Sequence, residues 1–273
     1  MDFYDEIADA YDDITGAPAR EPAAREFVAA FLDRYRPGSA LDAACGNGMY
    51  ALALARAGLS NVAGADLSHG MLDLARQHAP AAGLGVRWVQ APMQTLADAL
   101  PGPFDAVLCM GNSIPHLLTD ADLSAALGAF VRLAAPGGVI VLNLLNYARL
   151  QASGERIVGT DRRGQHEYIR FYDFLDADRV RFNILAVDWS SGSERPSHRL
   201  HSTTLRPYTC SALRDALVSH GYRDVELFSG LRFAPFDPVL SDTLTLVART
   251  ARFSDAVPSL PPLTSLTSPP SPV

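Results

Sequence analysis

Residues 41 to 48, which read Leu-Asp-Ala-Ala-Cys-Gly-Asn-Gly, constrain the fold more than any other part of this chain. The end of an apolar strand leads into a glycine turn, and a helical pattern begins at Met49. Gly46 and Gly48 lack the Cβ atoms that would hold a ligand away from the turn, and a helix start offers free N–H groups. Asp66 follows about twenty residues after Gly46. The layout predicts the nucleotide-binding first unit of an α/β domain.

The glycine turn fits two kinds of ligand. The spacing Gly46-x-Gly48-x-x-Ala51 also occurs in dinucleotide sites, with Asp66 placed to hold a ribose hydroxyl. Asp42 distinguishes the two ligands, because a carboxylate at the end of the first strand would repel the pyrophosphate of a dinucleotide. It suits a ligand that carries an ammonium and a sulfonium group. We therefore expect S-adenosylmethionine as the cofactor rather than NAD.

Composition narrows the classes of function. The chain has 273 residues, 48% of them apolar, and a net charge of −7. No lysine occurs, which excludes a lysine base or a Schiff base, and no basic stripe indicates nucleic-acid binding. The three cysteines show no metal-ligand spacing, so we expect reduced thiols and no metal site. The N-terminus lacks a signal-peptide pattern and the longest apolar run, near Val139 to Leu145, is too short for a membrane span, so we expect a cytoplasmic protein.

The order of predicted elements favours one large domain with an insertion. Residues 1–38 read as helices that could form a lid, with a second helix from about Glu21 to Tyr35, and residues 39–253 as the main domain. Five strands alternate with helices up to Leu145, which requires a parallel sheet. An antiparallel insertion at about 160–206, a helix from Ser211 to His220 and a final antiparallel pair follow. We expect the Pro/Ser-rich tail, residues 254–273, to be disordered.

The segment from Leu41 to Gly48, with Asp66 after it, resembles the first motif of Class I S-adenosylmethionine-dependent methyltransferases. The resemblance implies an α/β, Rossmann-like fold with a mainly parallel seven-stranded sheet and a C-terminal antiparallel hairpin. It also implies that Asp42 and Gly46 line the methionine end of the donor and that Asp66 binds its ribose. The residues expected around the donor are Tyr11, Arg20, Asp42, Ala44, Gly46, Gly48, Asp66, Leu67, Met71, Met93, Gln94 and Met110.

A narrower resemblance concerns the loop after the fourth strand. The pattern Gly111-Asn112-Ser113-x-x-His116-Leu117 is similar to the corresponding loop of glycine and sarcosine N-methyltransferases, and the similarity extends from about Leu41 to Tyr147. It implies that Asn112 helps to hold the acceptor and that Arg20 pairs with the carboxylate of the donor.

This chain departs from that pattern at two positions. Leu145 stands where the glycine enzymes carry an arginine that binds the carboxylate of the acceptor, so a glycine acceptor is not implied. The loop after the third strand, residues 90–94, lacks the usual acidic residue for the adenine amino group. Backbone groups near Met93, the Gln94 side chain, or packing by Leu67 and Met93 would have to hold the adenine.

The sequence leaves two types of methyl transfer open, one to nitrogen and one to oxygen. Transfer to an amine depends mainly on alignment, whereas a hydroxyl must lose a proton as it attacks, for which His116 could serve as base. Asn112 and His116 are thus the candidate catalytic residues. We expect a small-molecule acceptor, with nitrogen favoured over a phenolic or other hydroxyl oxygen, and a homodimer. A non-catalytic donor-binding module is the alternative from another class. Candidate acceptor-side residues are Tyr4, Tyr11, Asn112, Ser113, Tyr147, Arg170, Tyr172, His201 and Arg206, whereas Tyr208 reads as a packing residue.

Overall fold

The computed structural model describes residues 3–79, 84–190 and 196–251, which form two β-sheets and the helices around them. The α-helices are α1 Phe3–Ile7, α2 Tyr11–Thr15, α3 Ala17–Tyr35, α4 Met49–Arg56, α5 His69–His78, α6 Leu96–Ala99, α7 Asp120–Leu133, α8 Tyr147–Ser153 and α9 Cys210–Ser219. The strands are β1 Ser39–Ala43, β2 Asn61–Asp66, β3 Arg87–Gln90, β4 Phe104–Cys109, β5 Ala134–Leu145, β6 Ile157–Arg163, β7 His166–Phe174, β8 Val180–Asp188, β9 Ser197–Leu205, β10 Arg223–Ser229, β11 Ala234–Pro235 and β12 Thr243–Arg249.

The central sheet has the strand order β11-β10-β12-β5-β4-β1-β2-β3. Strands β1 to β5 are parallel, and β12 runs antiparallel to both β5 and β10. The predicted α/β fold, with five parallel strands and a C-terminal antiparallel hairpin, is therefore confirmed. The two-residue strand β11 at the edge adds to the seven strands that were predicted.

Apolar layers cover both faces of this sheet, as its strands require. Every residue of β1 is buried, which is typical of a central parallel strand. One layer includes Phe130 of α7 and Leu213 of α9, and the other includes Phe27 of α3 and Leu54 of α4. The carboxyl ends of β1, β2 and β4 consequently meet at one edge, where the loops of interest emerge.

Strands β6 to β9 form a second, antiparallel sheet in simple consecutive order. Its inner face packs against the N-terminal helices in a small core of its own, where Ile7 and Ile14 contact Tyr168 and Ile184. The N-terminal helices thus lie between the second sheet and the glycine turn of the central sheet.

Several boundaries differ from the sequence-based expectation. Helix α3 begins at Ala17 rather than Glu21, because Pro18 occupies the first turn, where a proline suits a helix. Helix α8 was not predicted, and β6 makes the insertion begin at Ile157. The expected disorder of residues 254–273 lies outside the described residues. Within the described ranges, no helix is long and apolar enough to cross a membrane.

Candidate active site

A cavity of about 180 Å³ lies at the carboxyl ends of β1, β2 and β4. We call it the donor-side cavity. It brings together eleven of the twelve residues expected around the donor, all except Gly48: Tyr11, Arg20, Asp42, Ala44, Gly46, Asp66, Leu67, Met71, Met93, Gln94 and Met110. Residues that line it but were not singled out from the sequence include Cys45, Asn47, Met49 and Tyr50 of the glycine turn and helix α4.

Asp42 is a buried carboxyl group with one unsatisfied oxygen. It is 1% exposed, and its Oδ2 accepts a hydrogen bond from the Ala51 N–H at 3.1 Å. Oδ1 has no hydrogen-bond partner among the described residues. Burial raises the pKa of Asp42 to about 8, and the nearby charge of Asp66 acts in the same direction. A buried, unpartnered carboxylate oxygen in a cavity fits the ammonium group of S-adenosylmethionine.

Asp66 holds the glycine turn in place. Its Oδ2 accepts from the Gly46 N–H at 2.8 Å, and its Oδ1 accepts from the Ser68 N–H at 2.9 Å. Each carboxylate oxygen can accept more than one hydrogen bond, so these contacts leave capacity for ribose hydroxyls. Asp66 therefore fits the predicted ribose contact and also organises the turn, a second role that the sequence did not indicate.

Gly48 has a different role from the predicted one of giving a ligand access to the turn. It does not line the donor-side cavity, and a Cβ at this position would lie 2.8 Å from the Trp88 ring and 2.9 Å from the Ala75 Cβ. Its φ is +80°, a conformation that favours glycine. Gly48 is thus required for close packing between α4, α5 and β3 rather than for ligand access. Gly46, by contrast, faces the cavity.

Arg20 lines the donor-side cavity beside two tyrosines. Burial raises the pKa of Tyr50 to about 12, and Arg20 next to its hydroxyl opposes that rise. Arg20 acts in the same way on Tyr11, whose pKa burial also raises. A guanidinium held between tyrosine hydroxyls can bind a carboxylate in a defined orientation.

Apolar side chains also line the donor-side cavity. Met71 is buried, whereas Leu67 is 54% exposed at the rim. Gln94 donates a long hydrogen bond of 3.4 Å from its Nε2 to Asp122 Oδ1. The amide of Gln94 thus already contacts a protein carboxylate, which leaves backbone groups near Met93 and packing by Leu67 and Met93 as the other predicted means of holding an adenine.

A second cavity of about 340 Å³ adjoins the first between the central sheet and the antiparallel sheet. We call it the acceptor-side cavity. It contains the predicted residues Asn112, Arg170 and Tyr172, together with apolar side chains such as Ile14, Leu145, Phe182 and Ile184. The residues that line both cavities are Tyr4, Tyr11, Arg20, Gly111 and His116.

Tyr4 and His116 form a pair at this junction. The Tyr4 hydroxyl and the His116 Nε2 are 2.9 Å apart, within hydrogen-bond distance, and the two rings are in contact. Tyr4 belongs to helix α1 and His116 to the 3₁₀ turn Ile114–His116, so residues 112 positions apart meet here. The sequence indicated each residue alone but not the pair.

Asn112 is held in a network of backbone and side-chain contacts. It adopts a left-handed conformation with φ of +72°, and its Oδ1 accepts from the Leu145 N–H at 3.1 Å. Its amide also pairs with the hydroxyl of Tyr147, with Nδ2 donating at 2.9 Å. The Oδ1 oxygen also lies 3.2 Å from the Tyr147 hydroxyl, so the second N–H of the amide is the group left to contact an acceptor.

Four of the other acceptor-side candidates do not reach the acceptor-side cavity. Tyr147 is 1% exposed and packs behind Asn112, and Ser113 lines the donor-side cavity instead. His201 pairs with Glu6, with Nδ1 and Oε2 3.1 Å apart, and lines neither cavity. Arg206 pairs with Asp120 at 2.7 Å and covers the ring of Tyr208. Burial and ion pairing explain these differences, and Tyr208 is a packing residue as expected.

Comparison with known proteins assigns the class. Residues 40–138 match the family described as a methyltransferase domain, and the strand order and the glycine-turn site agree with that match. The domain of residues 40–138 is therefore a Class I S-adenosylmethionine-dependent methyltransferase domain, whose cofactor is S-adenosylmethionine. The predicted class and cofactor are thereby confirmed.

The relatives that this chain resembles are named for different methyl-transfer reactions. The chain is 37% identical over 138 residues to a ubiquinone biosynthesis O-methyltransferase of Methylococcus capsulatus, covering 48% of this chain and 56% of the relative. It is 31% identical over 157 residues to a glycine/sarcosine N-methyltransferase of Parasynechococcus marenigrum, covering 58% and 55%. The chain thus spans about half the length of the curated relatives it matches. Among solved structures, the CcbJ methyltransferase of Streptomyces caelestis aligns with a TM-score of 0.75 and 26% identity, over 91% of this chain and 98% of that one.

Proposed function

We propose that this chain transfers a methyl group from S-adenosylmethionine to a nitrogen atom of a small-molecule acceptor. The observation that carries the proposal is the meeting of the two cavities at the Tyr4 and His116 pair. A donor in one cavity and an acceptor in the other would face each other at this point. Alignment of this kind supplies much of the rate of a displacement reaction.

On the donor side, charge complementarity assigns the contacts. Asp42 Oδ1 accepts from the ammonium group, Arg20 pairs with the carboxylate, and Asp66 accepts from the ribose hydroxyls. Leu67 and Met93 cover the adenine. The ammonium and carboxylate groups sit on one carbon at the methionine end of the ligand, so Asp42 and Arg20 would together hold that end while Asp66 holds the ribose, which fixes the direction in which the donor lies.

On the acceptor side, the junction pair orients the nucleophile. Bound S-adenosylmethionine supplies an electrophilic methyl group. The Tyr4 oxygen accepts a hydrogen bond from the acceptor N–H and aims the lone pair at that methyl, and His116 takes up the proton that the methylated nitrogen releases. The rings of Tyr4, Tyr11, Tyr172 and Phe182 line the acceptor-side cavity and favour the positive charge that develops on nitrogen.

O-methylation is the second candidate, because His116 faces the site of transfer. His116 lines both cavities rather than packing against a helix alone, and its Nε2 contacts a hydroxyl that also lines both. A hydroxyl acceptor would give up its proton to this imidazole as the C–O bond forms. The aromatic lining of the cavity favours the amine over this alternative.

In this proposal residues 3–15 form a lid that closes both cavities. Asp5 of α1 accepts from the Ser68 hydroxyl at 2.5 Å, next to the loop that holds the ribose contact. Glu6 pairs with His201 of the antiparallel sheet. One short helix therefore has polar contacts to the donor side and to the antiparallel sheet, and it carries Tyr4 into the junction between the two cavities.

The test is methyl transfer from S-adenosylmethionine labelled in its methyl group to matched panels of amines and phenols, followed by mass spectrometry. Labelled N-methyl products support the proposal, and O-methyl products alone support the second candidate. Donor binding without any product would favour the non-catalytic module. Tyr4→Phe should lower kcat on amines with little change in donor affinity, whereas Tyr35→Phe, at a tyrosine that lines neither cavity, is the matched control without effect.

A further inference from the structure

Arg170 of β7 carries the one buried guanidinium N–H without a partner among the described residues. Its Nε has no hydrogen-bond acceptor there, although Arg170 lines the acceptor-side cavity. Its Nη2 donates to Asp161 Oδ2 at 2.8 Å, and both side chains are about three-quarters buried, at 24% and 22% exposure. A buried, unpartnered donor costs free energy unless a ligand supplies an acceptor.

The neighbouring strand is shaped to make room for this side chain. Gly159 of β6 pairs with Arg170 across the sheet, next to a β-bulge between Ile157 and Gly159. A Cβ on Gly159 would lie 2.3 Å from Arg170 Nη2 and 3.0 Å from Nε. Glycine, the bulge and the ion pair with Asp161 thus jointly hold the guanidinium in the wall of the cavity.

Charge balance indicates which group Arg170 binds. Asp161 already neutralises its positive charge, so the free N–H acts as a strong hydrogen-bond donor in surroundings of little net charge. Neighbouring wall positions are apolar, including Val158 and Leu145. Arg20, the other arginine that lines this cavity, pairs with the carboxylate of the donor in the proposed function, so a carboxylate of the acceptor would stay uncompensated, whereas an uncharged oxygen would satisfy the N–H without that cost.

We propose that Arg170 Nε donates a hydrogen bond to an uncharged oxygen of the acceptor, so that the acceptor is a hydroxylated amine rather than an amino acid. This inference rests on the proposed function, because it assumes that the acceptor-side cavity holds the methylated amine. It assigns Arg170 as a specificity-determining residue that contacts the acceptor at the wall of the cavity.

The experiment compares three amines that share one ring skeleton. Cyclohexylamine, 4-aminocyclohexanol and 4-aminocyclohexanecarboxylate differ only in having no oxygen, a hydroxyl or a carboxylate opposite the amine. Their dissociation constants are measured by calorimetry in the presence of S-adenosylhomocysteine, so that binding does not depend on turnover. Methyl transfer is measured separately with S-adenosylmethionine.

Three variants and one control test the residue itself. Arg170→Met removes the donor, and Arg170→Lys keeps a positive charge beside Asp161 but lacks the Nε–H fork. Gly159→Ala keeps Arg170 and displaces its guanidinium. Arg162→Met on the same sheet removes an exposed arginine that lines neither cavity. Thermal melting identifies any variant that fails to fold, in which case the remaining two carry the test.

We expect the unaltered protein and the Arg162→Met control to bind the amino alcohol about tenfold or more tighter than the plain amine, as expected for a hydrogen bond from a charged donor. This advantage should disappear in the other three variants. The inference would be overturned if the amino alcohol bound no tighter than the plain amine, or if its tighter binding survived both Arg170→Met and Arg170→Lys. It would also be overturned if the carboxylate bound tightest, or if none of the three amines bound. If the amino alcohol binds with the expected preference but no methylated product forms, the proposed function alone is contradicted. If methylated product forms but the amino alcohol is not preferred, the Arg170 assignment alone is contradicted.

Discussion

Asp42 should make donor binding depend on pH in a defined direction. Burial raises its pKa to about 8, so the carboxyl is mainly protonated in the donor-free protein at pH 6 to 7. The ammonium group of the donor favours the carboxylate, and binding therefore releases a proton. The ionised fraction is about 1 in 100 at pH 6 and about 1 in 11 at pH 7, so the dissociation constant should fall about ninefold over this interval.

The variant Asp42→Asn should remove this slope. A hydrogen bond between charged groups contributes about 1.5 to 3 kcal/mol, and ionising Asp42 at pH 7 costs about 1.4 kcal/mol for one unit of pKa. The difference limits the loss of donor affinity in the variant to about 1.6 kcal/mol at pH 7, or roughly 15-fold. The loss should be smaller at pH 6, where ionisation costs more.

Calorimetry of donor binding at pH 6.5, in buffers that differ in ionisation enthalpy, measures the protons released. We expect nearly one proton per donor from the unaltered protein and none from Asp42→Asn. His116→Gln is the control, because His116 lines the same cavity, and it should keep the release. The same pH slope and proton release in Asp42→Asn as in the unaltered protein would refute this role of Asp42.

Three further predictions concern the turn and the buried carboxyl groups. Gly48→Ala should lower the free energy of unfolding by about 2 to 4 kcal/mol in denaturant titrations, because the added Cβ would meet Trp88 and the backbone φ is positive. Gly128→Ala in α7 is the control; a Cβ there meets nothing, so the change should be neutral or stabilising. Asp66→Ala should weaken donor binding by about 1.5 to 3 kcal/mol. It should also lower the melting temperature, since the N–H groups of Gly46 and Ser68 lose their acceptor. Unchanged donor affinity would contradict the ribose assignment. Because the pKa of Asp42 is raised on folding, the donor-free protein should lose stability as pH rises from about 4 to 8, and Asp42→Asn should melt higher than the unaltered protein at pH 8 but not at pH 5.

The sequence predicted the central sheet well because its signals are local. Buried apolar runs such as β1, alternating with helical patterns, define parallel crossovers without any knowledge of distant contacts. Helix α8 and strand β6 were missed or misplaced, because short elements at the edge of an insertion depend on tertiary packing more than on pattern. The two-residue strand β11 has no pattern of its own.

The site was predicted where residue type alone carries the chemistry. Asp42 and Asp66 were recognised from charge and spacing, and the structure places both in one cavity. The role of Gly48 depends on Trp88, forty residues later, and the Tyr4 and His116 pair depends on how the N-terminal helices pack. Asn112 was recognised from its loop, but its contact with the Leu145 N–H requires the position of β5. Such long-range contacts do not appear in the sequence.

A crystal structure with S-adenosylhomocysteine would show whether the donor lies in the donor-side cavity and delivers its methyl group at the Tyr4 and His116 junction. We expect the ammonium group within hydrogen-bond distance of Asp42 Oδ1, the ribose hydroxyls on Asp66 and the sulfur facing the junction. A ligand bound outside this cavity, or in the reverse direction with the adenine next to Asp42, would contradict this placement.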